Sequence, residues 1–143
     1  MSIWSSWQVW AALAAVFAAL TAIFAKIGVE NVNSDFATFI RTIVILMTLA
    51  LILVATGQFQ SPGSVSPRTY VFLVLSGLAT GASWICYFRA LKIGEAAKVA
   101  PIDKLSVVLV AIFGVIFLGE RLSGINWLGV ALIAAGAILV AYR

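Results

Sequence analysis

The chain has no histidine and a single cysteine, Cys86. That removes imidazole proton relays, zinc clusters, Cys–His nucleophiles and any intramolecular disulfide. Cys86 lies inside an apolar run and reads as a small lipid- or core-facing side chain. Charge is scarce too, at 10% of residues against 64% hydrophobic. A soluble domain carries about 25% charged residues, so water is the wrong solvent for this surface. Its nine basic residues leave a net charge of +4 but are scattered among apolar runs. No cluster or stripe supports phosphate tracking, which excludes nucleic acid as a partner. No nucleophile–base pair is visible, so no catalytic residue, metal ligand or cofactor is expected.

What the sequence has in abundance is long apolar runs. A hydrocarbon core of about 30 Å takes about 20 helical residues to cross. Five stretches qualify: about 7–27, 35–56, 70–91, 101–118 and 125–141. Backbone polar groups in lipid must be satisfied within the segment, so these runs are read as helices. The expected fold is an all-α integral membrane protein, one domain over 1–143 with five transmembrane helices. Asn33, Ser34 and Asp35 are candidate caps for the second helix, and Pro62, Gly63 and Pro67 mark an irregular connection. The first run lacks a basic start and exceeds a signal-peptide core in length, so it is expected to be retained. Trp4, Trp7 and Trp10 read as an interfacial aromatic belt, with Trp127 doing the same before the last helix.

Small residues mark expected helix contacts, because close backbone approach is what packs helices in lipid. Ala11, Ala15, Ala18, Ala22 and Ala25 form one stripe; Gly77 and Gly81 form a second, and Gly129 and Gly136 a third. An ordinary compact bundle accounts for them as well as a dimer motif does.

Five crossings sort the charges unevenly. One face receives Lys26, Glu30, Asp35, Arg41, Arg89, Lys92, Glu95, Lys98, Asp103 and Lys104; the other receives Arg68, Glu120 and Arg121. Topology is one explanation. Outside the helices the crowded face holds Lys26, Lys92, Lys98 and Arg143 against Arg68 and Arg121, which puts it in the cytoplasm with the amino terminus outside. A polar pathway opening from that face is the other. Charges within spans cost about 2.5–3.5 kcal/mol at the helix centre and face a bundle interior or a wet cavity. Snorkelling and mutual pairing compete with that reading, most strongly for Arg89 and Lys98. Lys92, Glu95 and Lys98 can pair at helical spacing. Pro101 obstructs a continuous helix, so the fourth helix is expected to start late or break there, as cavity-lining helices of transporters do. Adjacent Asp103 and Lys104 would project to different sides of a helix and so escape mutual neutralisation; Ser106 shares the Asp103 face. Trp84, Tyr87 and Phe88 can supply aromatic walls. The substrate or coupling pathway is therefore assigned to Arg41, Trp84, Arg89, Pro101, Asp103, Lys104 and Ser106.

The run Ala100-Pro101-Ile102-Asp103-Lys104-Leu105-Ser106, the turn Leu118-Gly119-Glu120-Arg121 and the last helix through Gly129 and Gly136 resemble the EamA domain of the drug/metabolite transporter superfamily. The likeness covers the whole chain. Typical members fuse two such domains in opposite orientations, whereas this chain looks like the short single-domain branch. The resemblance implies secondary transport of a small organic metabolite, with the first four helices lining the path. Two departures shape that expectation. The first helix has no acid, which speaks against proton-coupled antiport of cationic drugs. The intramembrane charge is net positive, which favours an anionic or zwitterionic substrate. One bundle is too small to alternate access alone, so a homodimer, or a pair with a similar chain, is expected in the inner membrane of a prokaryotic cell. The competing reading is a non-transporting assembly partner or lipid-binding scaffold.

Overall fold

A computed structural model describes residues 6–142; Trp4 of the expected aromatic belt and Arg143 of the charge comparison lie outside them. The described residues form α1 (Trp7–Gly28), α2 (Ser34–Thr56), a 3₁₀ turn (Pro62–Ser64), α3 (Pro67–Ile93), α4 (Ala96–Asp103), α5 (Ser106–Phe117) and α6 (Gly124–Ala141). Among them there is no strand. Taking α4 and α5 as one stretch, five helical segments of 18 to 27 residues are long and apolar enough to cross a membrane. The chain divides into two compact units, one of Met1–Phe24 with Ile93–Arg143 and one of Ala25–Lys92.

In the second unit, the ends of α2 follow from its sequence. Asn33 adopts extended backbone and its side chain accepts from the Asp35 and Phe36 N–H groups at 2.9 and 3.2 Å. Two donors that helix geometry leaves orphaned are thereby satisfied. At the far end Gly57 takes φ +64°, and the Gln58 N–H reaches the Leu53 carbonyl at 3.1 Å. This is the Schellman closure, which needs a left-handed residue that only glycine supplies without strain. Ala25, Val29, Ser34, Thr38, Phe88 and Leu91 are buried, all near the α1–α2 turn and the end of α3.

In the first unit, α6 packs against both α4 and α5. Ser123 caps α6 by accepting from the Asn126 N–H at 3.3 Å. At the end of α5 the Gly114 carbonyl accepts from both the Leu118 and Glu120 N–H groups at 3.1 Å, with Gly119 at φ +69° making the reversal. The Glu120 carboxylate folds back to lie where a Cβ on Gly114 would stand.

The fourth span departs from expectation. Its helix begins at Ala96 rather than at Pro101, and Pro101 sits inside it. Pro101 comes early enough that only the Ala97 carbonyl loses the donor an unbroken helix would supply. The break falls after Asp103, where Leu105, Val107 and Val108 donate to carbonyls three residues back, at 3.0 Å each. The chain tightens into a 3₁₀-like turn there before α5 resumes. The small-residue stripes are also only partly used. Ala22 and Ala25 are buried, Ala18 is half-buried, and Ala11 and Ala15 are exposed. A Cβ built at Gly77, Gly81, Gly129 or Gly136 would meet nothing within 4 Å.

Asn33→Ala should lower the stability of the micelle-solubilised protein by about 0.5–2 kcal/mol through loss of the cap. Gly57→Ala should cost about 1 kcal/mol through its left-handed φ. Gly63→Ala, facing open space, should be close to neutral in the same thermal unfolding series.

Candidate functional site

The unit Ala25–Lys92 carries the densest polar construction. Asp35 stands in the first turn of α2 and Arg89 in the penultimate turn of α3. The Arg89 Nε and Nη2 groups donate to Asp35 Oδ1 and Oδ2 at 2.9 and 2.6 Å. This is the two-pronged geometry that makes arginine–carboxylate pairs specific as well as strong. Two lysines reinforce the same end. Lys26 Nζ donates to the Leu91 carbonyl at 2.7 Å and Lys92 Nζ to the Val32 carbonyl at 2.5 Å. A cation at the α3 carboxyl terminus also complements the helix dipole. The ends of α1, α2 and α3 are thus tied together by long side chains.

Arg41 lies six residues beyond Asp35 on α2, about 9 Å along the axis. Its guanidinium carbon stands 4.0 Å from the centre of the Trp84 ring and 5.6 Å from that of Phe88. Such an approach is a cation–π stack, worth about 2 kcal/mol when desolvated. Its Nη1 is buried and has no acceptor among the described residues. A buried unmet donor costs about 1–3 kcal/mol, and more when charged.

The unit Met1–Phe24 with Ile93–Arg143 holds the remaining pathway residues at the break between α4 and α5. Pro101 and Asp103 are half-buried, Lys104 is exposed, and Ser106 is the exposed first residue of α5. Lys104 Nζ reaches Asp103 Oδ2 at 2.9 Å, so these two neighbours do pair. Lys104 keeps helical backbone and its N–H still reaches the Ala100 carbonyl at 3.2 Å, so the contact is made by the flexible four-carbon Lys104 stem reaching back to its neighbour. The same break places Asp103 at the carboxyl end of a helix instead of the expected amino end. Lys98 pairs with Glu95 at 3.3 Å, as the spacing predicts.

Arg41, Trp84 and Arg89 therefore gather in one unit, and Pro101, Asp103, Lys104 and Ser106 in the other. Sequence reasoning placed Asp35 only as a helix cap and missed its pairing with Arg89. The available signal was their shared position on the crowded face, at the start of one helix and the end of the next.

Apolar helices that bridge a bilayer, with a stacked arginine inside one of them, define a polytopic membrane protein with a polar interior feature. The model of the EamA-like transporter family matches residues 5–142, and the chain belongs to that family. It is 68% identical over 136 residues to "Uncharacterized transporter in cobO 3'region" from Sinorhizobium sp, covering 95% of this chain and 96% of that one. It is 41% identical over 69 residues to "Putative nucleotide-sugar transporter YMD8" from Saccharomyces cerevisiae, covering 48% of this chain but 16% of the relative. No solved structure matches.

If the Asp35–Arg89 pair ties α2 to α3, Asp35→Asn and Arg89→Gln should each lower the melting temperature. The exchanged pair Asp35→Arg with Arg89→Asp should recover most of the loss. Equal and additive losses in the single and exchanged variants would show that the two groups act independently.

Proposed function

We propose that this membrane transporter is a secondary transporter of a small anionic organic metabolite, working as a dimer of five-helix bundles. The observation that carries the reading is Arg41: a guanidinium over an aromatic ring well inside a membrane span, with a buried N–H that no group among the described residues accepts. Charges held inside spans mark substrate and ion pathways. The family and the names of both relatives support transport in preference to catalysis. Dimerisation is supported by the open faces at Gly77, Gly81, Gly129 and Gly136, since small-residue faces are what lets membrane helices approach closely. Loop charge favours the amino terminus outside and the carboxyl terminus in the cytoplasm of a prokaryotic inner membrane.

The test is accumulation in proteoliposomes of labelled organic acids, amino acids and sugar phosphates, against protein-free vesicles. At least one should accumulate. Arg41→Lys should weaken uptake, because charge is kept while the planar fork is lost, and Arg41→Ala should abolish it. Unchanged uptake in both variants would remove Arg41 from the pathway. No uptake of any compound would favour the assembly or scaffold reading.

Asp103 and Lys104, at the α4–α5 break, are the proposed coupling and gating residues, with Pro101 and Ser106 shaping the turn. Asp103→Asn should fold with a near-normal melting temperature yet lose the pH dependence of uptake. A well-folded variant with full, pH-responsive uptake would exclude coupling at this carboxylate.

A further inference from the structure

The inference rests on the transport reading and names the chemical class of substrate. We infer that the Arg41–Trp84–Phe88 site takes a monocarboxylate without an ammonium group, and not a phosphate ester, a nucleotide sugar or an amino-acid zwitterion.

Charge balance around Arg41 is the first ground. In the last two turns of α3 the cation closest in sequence to Trp84 is Arg89, and Arg89 is matched by Asp35 through two hydrogen bonds. Lys26 holds the Leu91 carbonyl, about 10 Å along α3 from Trp84, and Lys92 holds the Val32 carbonyl in the α1–α2 turn. Arg68 lies at the opposite end of α3, 5.8 Å from the Phe72 ring centre. The site is thus left with one positive charge. A carboxylate balances one charge. A phosphate monoester carries about −1.5 to −2 at neutral pH and would leave a surplus negative charge in low dielectric, where such surplus is most costly.

Shape is the second ground. The Trp84 ring centre lies 4.0 Å from the guanidinium carbon, and the guanidinium donors all lie in its own plane, so an incoming acceptor must bind at its edge. A planar carboxylate meets that edge with two parallel hydrogen bonds. A group attached to such a carboxylate then runs beside Trp84 and Phe88, which offer apolar surface.

The third ground concerns the ammonium of a zwitterion. It would need a carboxylate or an aromatic face. The Asp35 carboxylate is already held in both oxygens by Arg89, and the Trp84 and Phe88 rings are engaged by Arg41 itself.

Because Nη1 is already covered by protein atoms, an oxygen reaching it must shift the packing beside Trp84. Tryptophan emission should therefore report binding. Purified full-length protein in lipid nanodiscs would be titrated with benzoate, inorganic phosphate, phenylalanine and uridine diphosphate glucose, read by tryptophan fluorescence and thermal shift. Benzoate should give a saturable change in both readouts. Arg41→Gln should weaken it by about tenfold or more, the loss of one charge-assisted hydrogen bond. Trp84→Phe should remove the fluorescence change, because Trp84 is the reporter beside Arg41.

A tighter Arg41-dependent response to phosphate, the nucleotide sugar or phenylalanine would overturn the assignment. So would the absence of any response to benzoate at millimolar concentration, or a benzoate response that Arg41→Gln leaves intact. Failure of the transport reading looks different. Arg41-dependent benzoate binding without flux in proteoliposomes keeps the monocarboxylate site and removes transport. Arg41-dependent flux of phosphate esters alone keeps transport and removes the monocarboxylate.

Discussion

A polar group inside hydrocarbon has no water to fall back on, and nearly every local feature of this chain answers that constraint. Helices satisfy the backbone within each span. Thr38, Thr42, Thr48, Thr56 and Thr80 each turn their hydroxyl onto the carbonyl four residues back, at 2.7 to 2.9 Å. The ends of α2 and α6 are closed by Asn33, Gly57 and Ser123. Lys26 of α1 and Lys92 of α3 spend themselves on carbonyls and Arg89 on a carboxylate. Against that background the Arg41 Nη1 is the exception, the buried side-chain donor left without an acceptor among the described residues. In a structure this thorough about satisfying polar groups, an unmet charged donor points to something the chain itself does not supply.

The parts legible in the sequence were those set by one-dimensional physics. Span number follows from run length against bilayer thickness. The start of α2 follows from the Asn33 side chain, and the Lys98–Glu95 pair from helical spacing. The parts that were not legible depend on how one element meets another. Asp35 and Arg89 are 54 positions apart, and their pairing needs the start of α2 to lie beside the end of α3. The Lys104–Asp103 contact escapes a helical wheel, which gives Cβ directions but not the reach of a flexible four-carbon stem. Pro101 was recognised as a breaker, but proline is tolerated near a helix start, so the helix forms through it and tightens a few residues later. Cation–π stacking of Arg41 was half visible: the aromatic wall at Trp84 and Phe88 was foreseen, while the unmet Nη1 required coordinates.

The spacing of charges on α2 shows why a bare cation persists beside a bonded pair. Asp35 and Arg41 are six residues apart, so they project about 120° from one another around the helix. Asp35 is turned to Arg89, and Arg41 to Trp84 and Phe88. Had the acid stood three or four residues from Arg41, the two would have paired along one face, and no free donor would have remained. The Asp35–Arg89 bond therefore has two consequences. It ties α2 to α3, and it withholds the nearby carboxylate from Arg41. The tie and the unpaired Arg41 donor come from the same six-residue offset, and a substitution that loosens the outer pair releases an acid able to compete for the inner arginine. Stability where α2 meets α3 and the affinity of the proposed anion site are thus linked through one carboxylate.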